Sequence, residues 1–321
     1  MSSRTAARLT LLALVAATAG AGACARSQIT PTTNVVVDPE PAEVTPSGDL
    51  EILRFRAAMG MAGDVRAELT PRIASAGDRP DRGRDALRRL AIQLALVQGD
   101  GEAARTQLAQ LSRDITSLGT QATAEDRAQL DLLSGRWLHE QGKYADARGK
   151  HLRALANIDG PADSSLIGTA LRGLADDMLA LGDAKGALAT LSRALEIHTN
   201  ASDAAIELHE DLLLAVDVMI ALDQPDEARI LAGDAYNQAL KQFGPDTLPH
   251  AEALLQVGAA SLAAEDKTAG ASVVADAGAI FDKLQSERTD PRFPVSARVV
   301  RRLFALRTAL GPAESAGSTG S

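Results

Sequence analysis

The chain has 321 residues, of which 45% are apolar and only 2% aromatic, so alanine and leucine must do most of the packing in one long domain or two short ones. Net charge is −9, from 42 acids against 33 bases, with no basic stripe. Nucleic acid attracts the opposite sign, so no nucleic-acid partner is expected.

Met1 to Arg8 carries Arg4, Arg8 and no acid, Leu9 to Ala17 is apolar, and Ala21-Gly22-Ala23-Cys24 follows. A basic start, a short apolar run and small residues make residues 1–23 a secretory signal, too short to span a bilayer as a permanent helix. Cys24 is the single cysteine, so no disulfide can form within the chain. Its place directly after the signal resembles the lipid-bearing cysteine of bacterial lipoproteins. The resemblance implies a membrane anchor at Cys24 and a place in the cell envelope. Ala21-Gly22-Ala23 also suits an ordinary signal peptidase cutting at the same bond, which would leave an unlipidated exported protein. Residues 24–49, with four prolines and several threonines, read as a flexible tether. Residues 311–321, "GPAESAGSTGS", read as a small-residue tail.

Between these ends apolar residues recur at three and four, and no alternating strand stands out. "LADDMLALGDAKGALATLSRAL", Leu174 to Leu195, holds two apolar-periodic runs broken at Gly182-Asp183. The same pattern recurs along the chain, with corners at Gly99, Gly142, Gly182, Asp223 and Asp266, separated by 43, 40, 41 and 43 residues. A degenerate copy precedes them, with a corner at Gly63-Asp64. One two-helix unit cannot cover its own apolar face, so such units must stack. Residues 50–290 therefore read as about five stacked units. Residues 291–310 contain "VSARVVRRLFALRTAL", which reads as a capping helix with Val299, Leu303, Leu306 and Leu310 inward and Arg298, Arg301, Arg302 and Arg307 outward.

"GKYADA" from Gly142 and the small residues flanking each corner resemble the tetratricopeptide repeat (TPR) family. The long period and "FGPDTLPHA" from Phe243 resemble the longer variety found in kinesin light chains. The resemblance implies an all-α, right-handed α-solenoid whose first helices line a concave groove for a protein or peptide. Alignment by corner places Arg89, Gln93, Gln129, Arg136, His139, Arg172, Asp176, Asp217 and Gln256 on that side. The row of Arg89, Arg136 and Arg172 would attract an acidic segment, with Asp176 and Asp217 biasing the other end. Each of these residues also fits a plain solvated face.

Catalytic and metal constellations are missing from the sequence. No two of the five histidines lie three or four apart, and His139-Glu140 and His209-Glu210 lack the second histidine of a zinc-protease motif. His151 falls at a packing position and reads as a half-buried helix residue. No Gly-x-Ser-x-Gly elbow occurs, and "GKYADARGK" has the wrong spacing for a phosphate loop. Asp176 and Asp177, as helix neighbours, point about 100° apart and form no carboxylate pair. No cofactor, metal or enzymatic activity is expected. The expected role is an adaptor in the cell envelope. The alternatives are a binding module for peptides or wall fragments, and an enzyme with a groove site.

Overall fold

The computed structural model describes residues 49–75, 82–158, 164–288 and 294–311. The expected signal (1–23), Cys24 and the expected tether up to residue 48 lie outside the described residues, as does the expected tail from 312. Every element among the described residues is helical. The helices are α1 (Asp49–Arg56), α2 (Ala62–Ser75), α3 (Arg82–Val97), α4 (Gly101–Ser117), α5 (Ala124–Glu140), α6 (Tyr144–Asn157) and α7 (Ser165–Ala180). They continue as α8 (Ala184–Asn200), α9 (Ala205–Ala221), α10 (Pro225–Phe243), α11 (Leu248–Ala263), α12 (Lys267–Glu287) and α13 (Ala297–Leu310). Consecutive helices pack on each other from α3 to α12, giving five two-helix units: α3/α4, α5/α6, α7/α8, α9/α10 and α11/α12. The architecture is the all-α solenoid expected of the repeat.

The five corners are built alike. Each has one residue in the left-handed region: Gly99 (φ 75°), Gly142 (72°), Gly182 (86°), Asp223 (57°) and Glu265 (62°). The following N–H closes a Schellman bond onto the first helix, as from Asp100 to the Ala95 carbonyl and from Asp183 to that of Met178, both at 2.8 Å. At three corners that next residue also caps the second helix: Asp100, Asp183 and Asp266 each accept from the backbone N–H three residues on, whereas Lys143 and Gln224 hold the place without a side-chain bond. At the fifth corner the turning residue is thus Glu265, one place before the expected Asp266, which instead caps the second helix. The first pair also turns elsewhere than expected. Its left-handed residue is Gly60 (φ 109°), inside a π-helical turn at Ala57–Met61, rather than Gly63-Asp64.

Counted from these corners, equivalent positions of the second helices carry the close contacts. Ala104, Ala147, Ala187 and Ala228 are fully buried in the first turn, and Gly270 takes the same place in α12. Leu111, Ala154, Ala194, Ala235 and Ala277 repeat this two turns later, again fully buried. Small side chains let helices approach closely, which is why so few aromatics suffice. Bulk is exchanged rather than repeated. Val274 of α12 uses the room left by Gly258 of α11, where an added Cβ would sit 2.6 Å from its methyl. The largest core cluster runs from α7 to α11 around Leu191, Leu213 and Leu231. A second joins α11, α12 and α13 around Leu255, Phe281 and Leu303.

The ends of the array meet. Phe55 of α1 stacks at 6.3 Å on Phe243 of α10, and Arg54 pairs with Glu207 of α9 at 2.5 Å. A Cβ on Gly60 would touch Leu284 and Val295, and one on Gly99 would lie 2.9 Å from the Cβ of Ala297. The chain curls until its first turns reach the start of α13. The capping helix buries Val299, Leu303 and Leu306 as its pattern predicts, with Leu310 at the edge. Its arginines do not all point away, because α13 lies along the first-helix side. Arg301 and Arg302 bond back to other units.

Candidate binding groove

The first helices bring Arg136, His139, Arg172, Asp176, Asp217 and Gln256 into one charged band. Arg172 donates to Asp211 (3.4 Å) and to the Glu207 carbonyl (3.2 Å), and pairs with Glu210 at 2.5 Å. Arg136 lies 3.9 Å from the same Glu210. Arg89 sits apart, held by Asp126 at 2.7 Å. Gln129 bonds within its own helix to Glu125, and Gln93 is half-buried on α3. The row of Arg89, Arg136 and Arg172 expected to attract an acidic segment is therefore already matched by carboxylates of this chain. Further acids lie on the same side: Glu140 meets Arg301, and Asp176, Asp217 and Glu252 act on Arg298.

Glu210 shows how strongly the band is coupled. Burial alone would raise its pKa, but the charges of Arg172, Arg136 and Arg298 override this and hold it at about 2. A depressed carboxylate stabilises the fold above its unfolded value of 4.5, and that contribution fades as pH falls towards 2. Wild type is expected to lose on the order of 2–3 kcal/mol more than Glu210→Gln between pH 5 and pH 2.5. Urea unfolding at both pH values checks this; equal losses in the two proteins would remove Glu210 from the acid transition.

Behind the band lie buried polar joints that the sequence reading missed. Asp177 is fully buried and receives hydrogen bonds from His139 Nδ1 (2.7 Å) and His151 Nδ1 (2.6 Å). His151 is itself buried at 3% exposure, not half-buried, with its ring in the space left by Gly135 of α5 and Gly173 of α7. Burial pulls the His139 pKa down. The hydrogen bond to Asp177 and the charges of Asp176, Asp177 and Glu140 outweigh this and leave it above 6.5. Asp176 lies 3.5 Å from His139 Nε2, with its side chain 48% exposed. The groove walls surround its carboxyl without covering it, and that desolvation raises its pKa; Asp177 and Asp217 add to the rise while His139 and Arg298 oppose it. The next joint repeats the chemistry with other residues. His198 Nδ1 lies 2.7 Å from fully buried Asp211, His198 Nε2 3.2 Å from the Ser165 carbonyl, and Arg172 completes the set. The signal in the sequence was phase: Asp177 follows Leu174 by three and so falls on the inward stripe. Among the described residues no group of three His, Asp or Glu side chains is arranged to hold a metal ion. No helix among them is long and apolar enough to cross a membrane.

No protein-family profile and no curated protein matches the sequence. Solved structures do. A Rap protein, crystallised in complex with Competence and Sporulation Factor, aligns with TM-score 0.53 and 14% identity over 80% of this chain and 68% of that one. BtubC (BKLC) from P. vanneervenii aligns with TM-score 0.50 and 17% identity over 74% of this chain and 95% of that one. A kinesin light chain of nearly identical TPR-like repeats from P. anserina aligns at 14% identity and TM-score 0.46, over 62% of this chain and 95% of that one. The fold is TPR-like. At these identities the likeness extends to the α-solenoid fold alone.

Proposed function

We propose that this TPR-like chain is a non-enzymatic scaffold, exported and lipid-anchored at Cys24, whose first-helix groove takes a protein or peptide partner in the cell envelope. The observation that carries the reading is the charged band itself. Side chains from α5, α7, α9 and α11 converge on one face, and Asp176 and Glu140 remain open to solvent there. The Rap structure, solved in complex with Competence and Sporulation Factor, supports a binding use of such a fold. The basic, apolar and small-residue succession ahead of Cys24 supports export and anchoring.

A photocrosslinking residue at Asp176 is expected to give a discrete adduct in intact envelopes, while one at Ile230, 53% exposed on α10, gives none. Identical adduct patterns from both positions, or none from Asp176, would overturn the groove reading. Detergent-phase partitioning of Cys24→Ala tests the anchor separately: the variant should move to the aqueous phase.

A further inference from the structure

α13 does not behave as a simple end cap. A cap covers the last unit, whereas α13 reaches back across three. Arg302 donates to Asp217 of α9 at 2.6 Å and to Gln256 Oε1 of α11 at 2.7 Å. Arg301 donates to Glu140 of α5 at 2.8 Å. Arg298 lies in the field of Glu252, Asp217, Asp176 and Glu210. The helix carries four arginines and no acid, and it meets a band whose unmatched charge is negative. Val299, Leu303 and Leu306 turn inward at helical spacing, so the seated face is apolar at its centre and cationic at its flank.

The seat is also incompletely filled. A cleft of about 290 Å³ stays open between α13 and α9/α11, lined by Leu213, Asp217, Glu252, Leu255 and Arg298 among others. Buried Arg302 Nε has no acceptor. The Arg301–Glu140 pair is half in water, with the arginine side chain 58% exposed, and exposed pairs contribute little each. Three apolar anchors join α13 to the core of the last unit, while across the groove it is held by one part-buried pair at Arg302 and one exposed pair at Arg301, few enough contacts for a better-fitting helix to exchange with it.

We propose that α13 is a resident, displaceable occupant of the groove, and that the external partner is an amphipathic helix bearing an arginine pair beside an apolar i, i+4, i+7 stripe, which takes α13's place. This rests on the reading of the groove as the binding site and names the chemistry it selects. Partner binding is then competitive with self-occupancy, so apparent affinity is scaled down to the fraction of molecules in which α13 is unseated. Binding weakens with salt, because the selecting contacts are ionic.

The test uses the full chain and a labelled synthetic peptide of residues 295–311 as the probe, read by fluorescence anisotropy. Arg301→Glu/Arg302→Glu should release α13 and bind the peptide at least about tenfold more tightly than wild type. Adding Asp217→Arg should abolish that binding. Hydrogen exchange on wild type gives a second readout that needs no variant: α13 amides should exchange well before those of α11. Equal peptide affinity in wild type and double variant would overturn the proposal, as would α13 protection equal to that of α11. A wild-type dimer formed by exchange of α13 would also overturn it, by assigning the groove to a second copy. A groove partner crosslinked equally by wild type and the double variant would sink this inference alone. Peptide binding without any envelope adduct would sink only the scaffold reading.

Discussion

Asp177→Ala is expected to cost about 3–5 kcal/mol, the range for removing one partner of a buried, hydrogen-bonded carboxylate set. The carboxylate has no exposure and receives bonds from both His139 and His151, so its loss leaves two imidazoles facing a void. Water cannot repair the damage easily, because His151 is packed between the backbones of α5 and α7. Asp177→Asn keeps one acceptor oxygen and should lose less. Asp177→Leu combined with His151→Leu should recover part of the loss, since an apolar pair leaves fewer polar groups unsatisfied. Thermal and urea unfolding give the totals. Stacked repeats need not unfold in one step, so hydrogen exchange should locate the early opening at α5–α7. A loss below about 1 kcal/mol would mean the joint is better hydrated than its geometry implies.

Gly168→Ala is expected to destabilise by about 2–4 kcal/mol, although alanine is the better helix former by about 1 kcal/mol. A Cβ there would stand 2.5 Å from His198 Nε2. The ring cannot step aside without giving up Asp211 on one nitrogen and the Ser165 carbonyl on the other. The same substitution at Gly149, exposed on α6 with nothing within 4 Å, should stabilise by up to about 1 kcal/mol. Opposite signs from one chemical change isolate packing from propensity. If Gly168→Ala/His198→Ala costs as much as the sum of its single variants, the clash is not the cause.

The repeat was legible because its signals are local. A left-handed corner needs glycine, a second helix needs a capping aspartate, and close crossings need alanine at fixed distances from both. The reading slipped where those roles were taken by unusual residues. Glu265 turns the fifth corner without being glycine, so the familiar Asp266 beside it drew the assignment. Gly60, rather than Gly63, turns the first pair, because a π-helical turn there shifts the phase. The groove was harder to read, since its character depends on contacts across many units. Alignment placed Arg172 on the right face but could not show Glu210 and Asp211 already on it. Likewise the pattern of α13 showed which side is apolar, but "outward" for its arginines turned out to mean towards α5 and α9. Neither helix is a neighbour of α13 in sequence, so no local signal reports the encounter.

The two histidine joints have a further consequence. His139, His151 and Asp177 lock α5/α6 to α7, while Arg172, His198 and Asp211 lock α7/α8 to α9 about two helical turns away from the corresponding place. Bring α9 directly against α6, and His151 would meet Val218 while Asp211 would meet Ile158. Both would be buried polar groups with no counterpart. The array therefore lacks the interchangeability that repetition suggests. Its units are keyed to their neighbours, so deleting a whole repeat would leave buried polar groups unpaired.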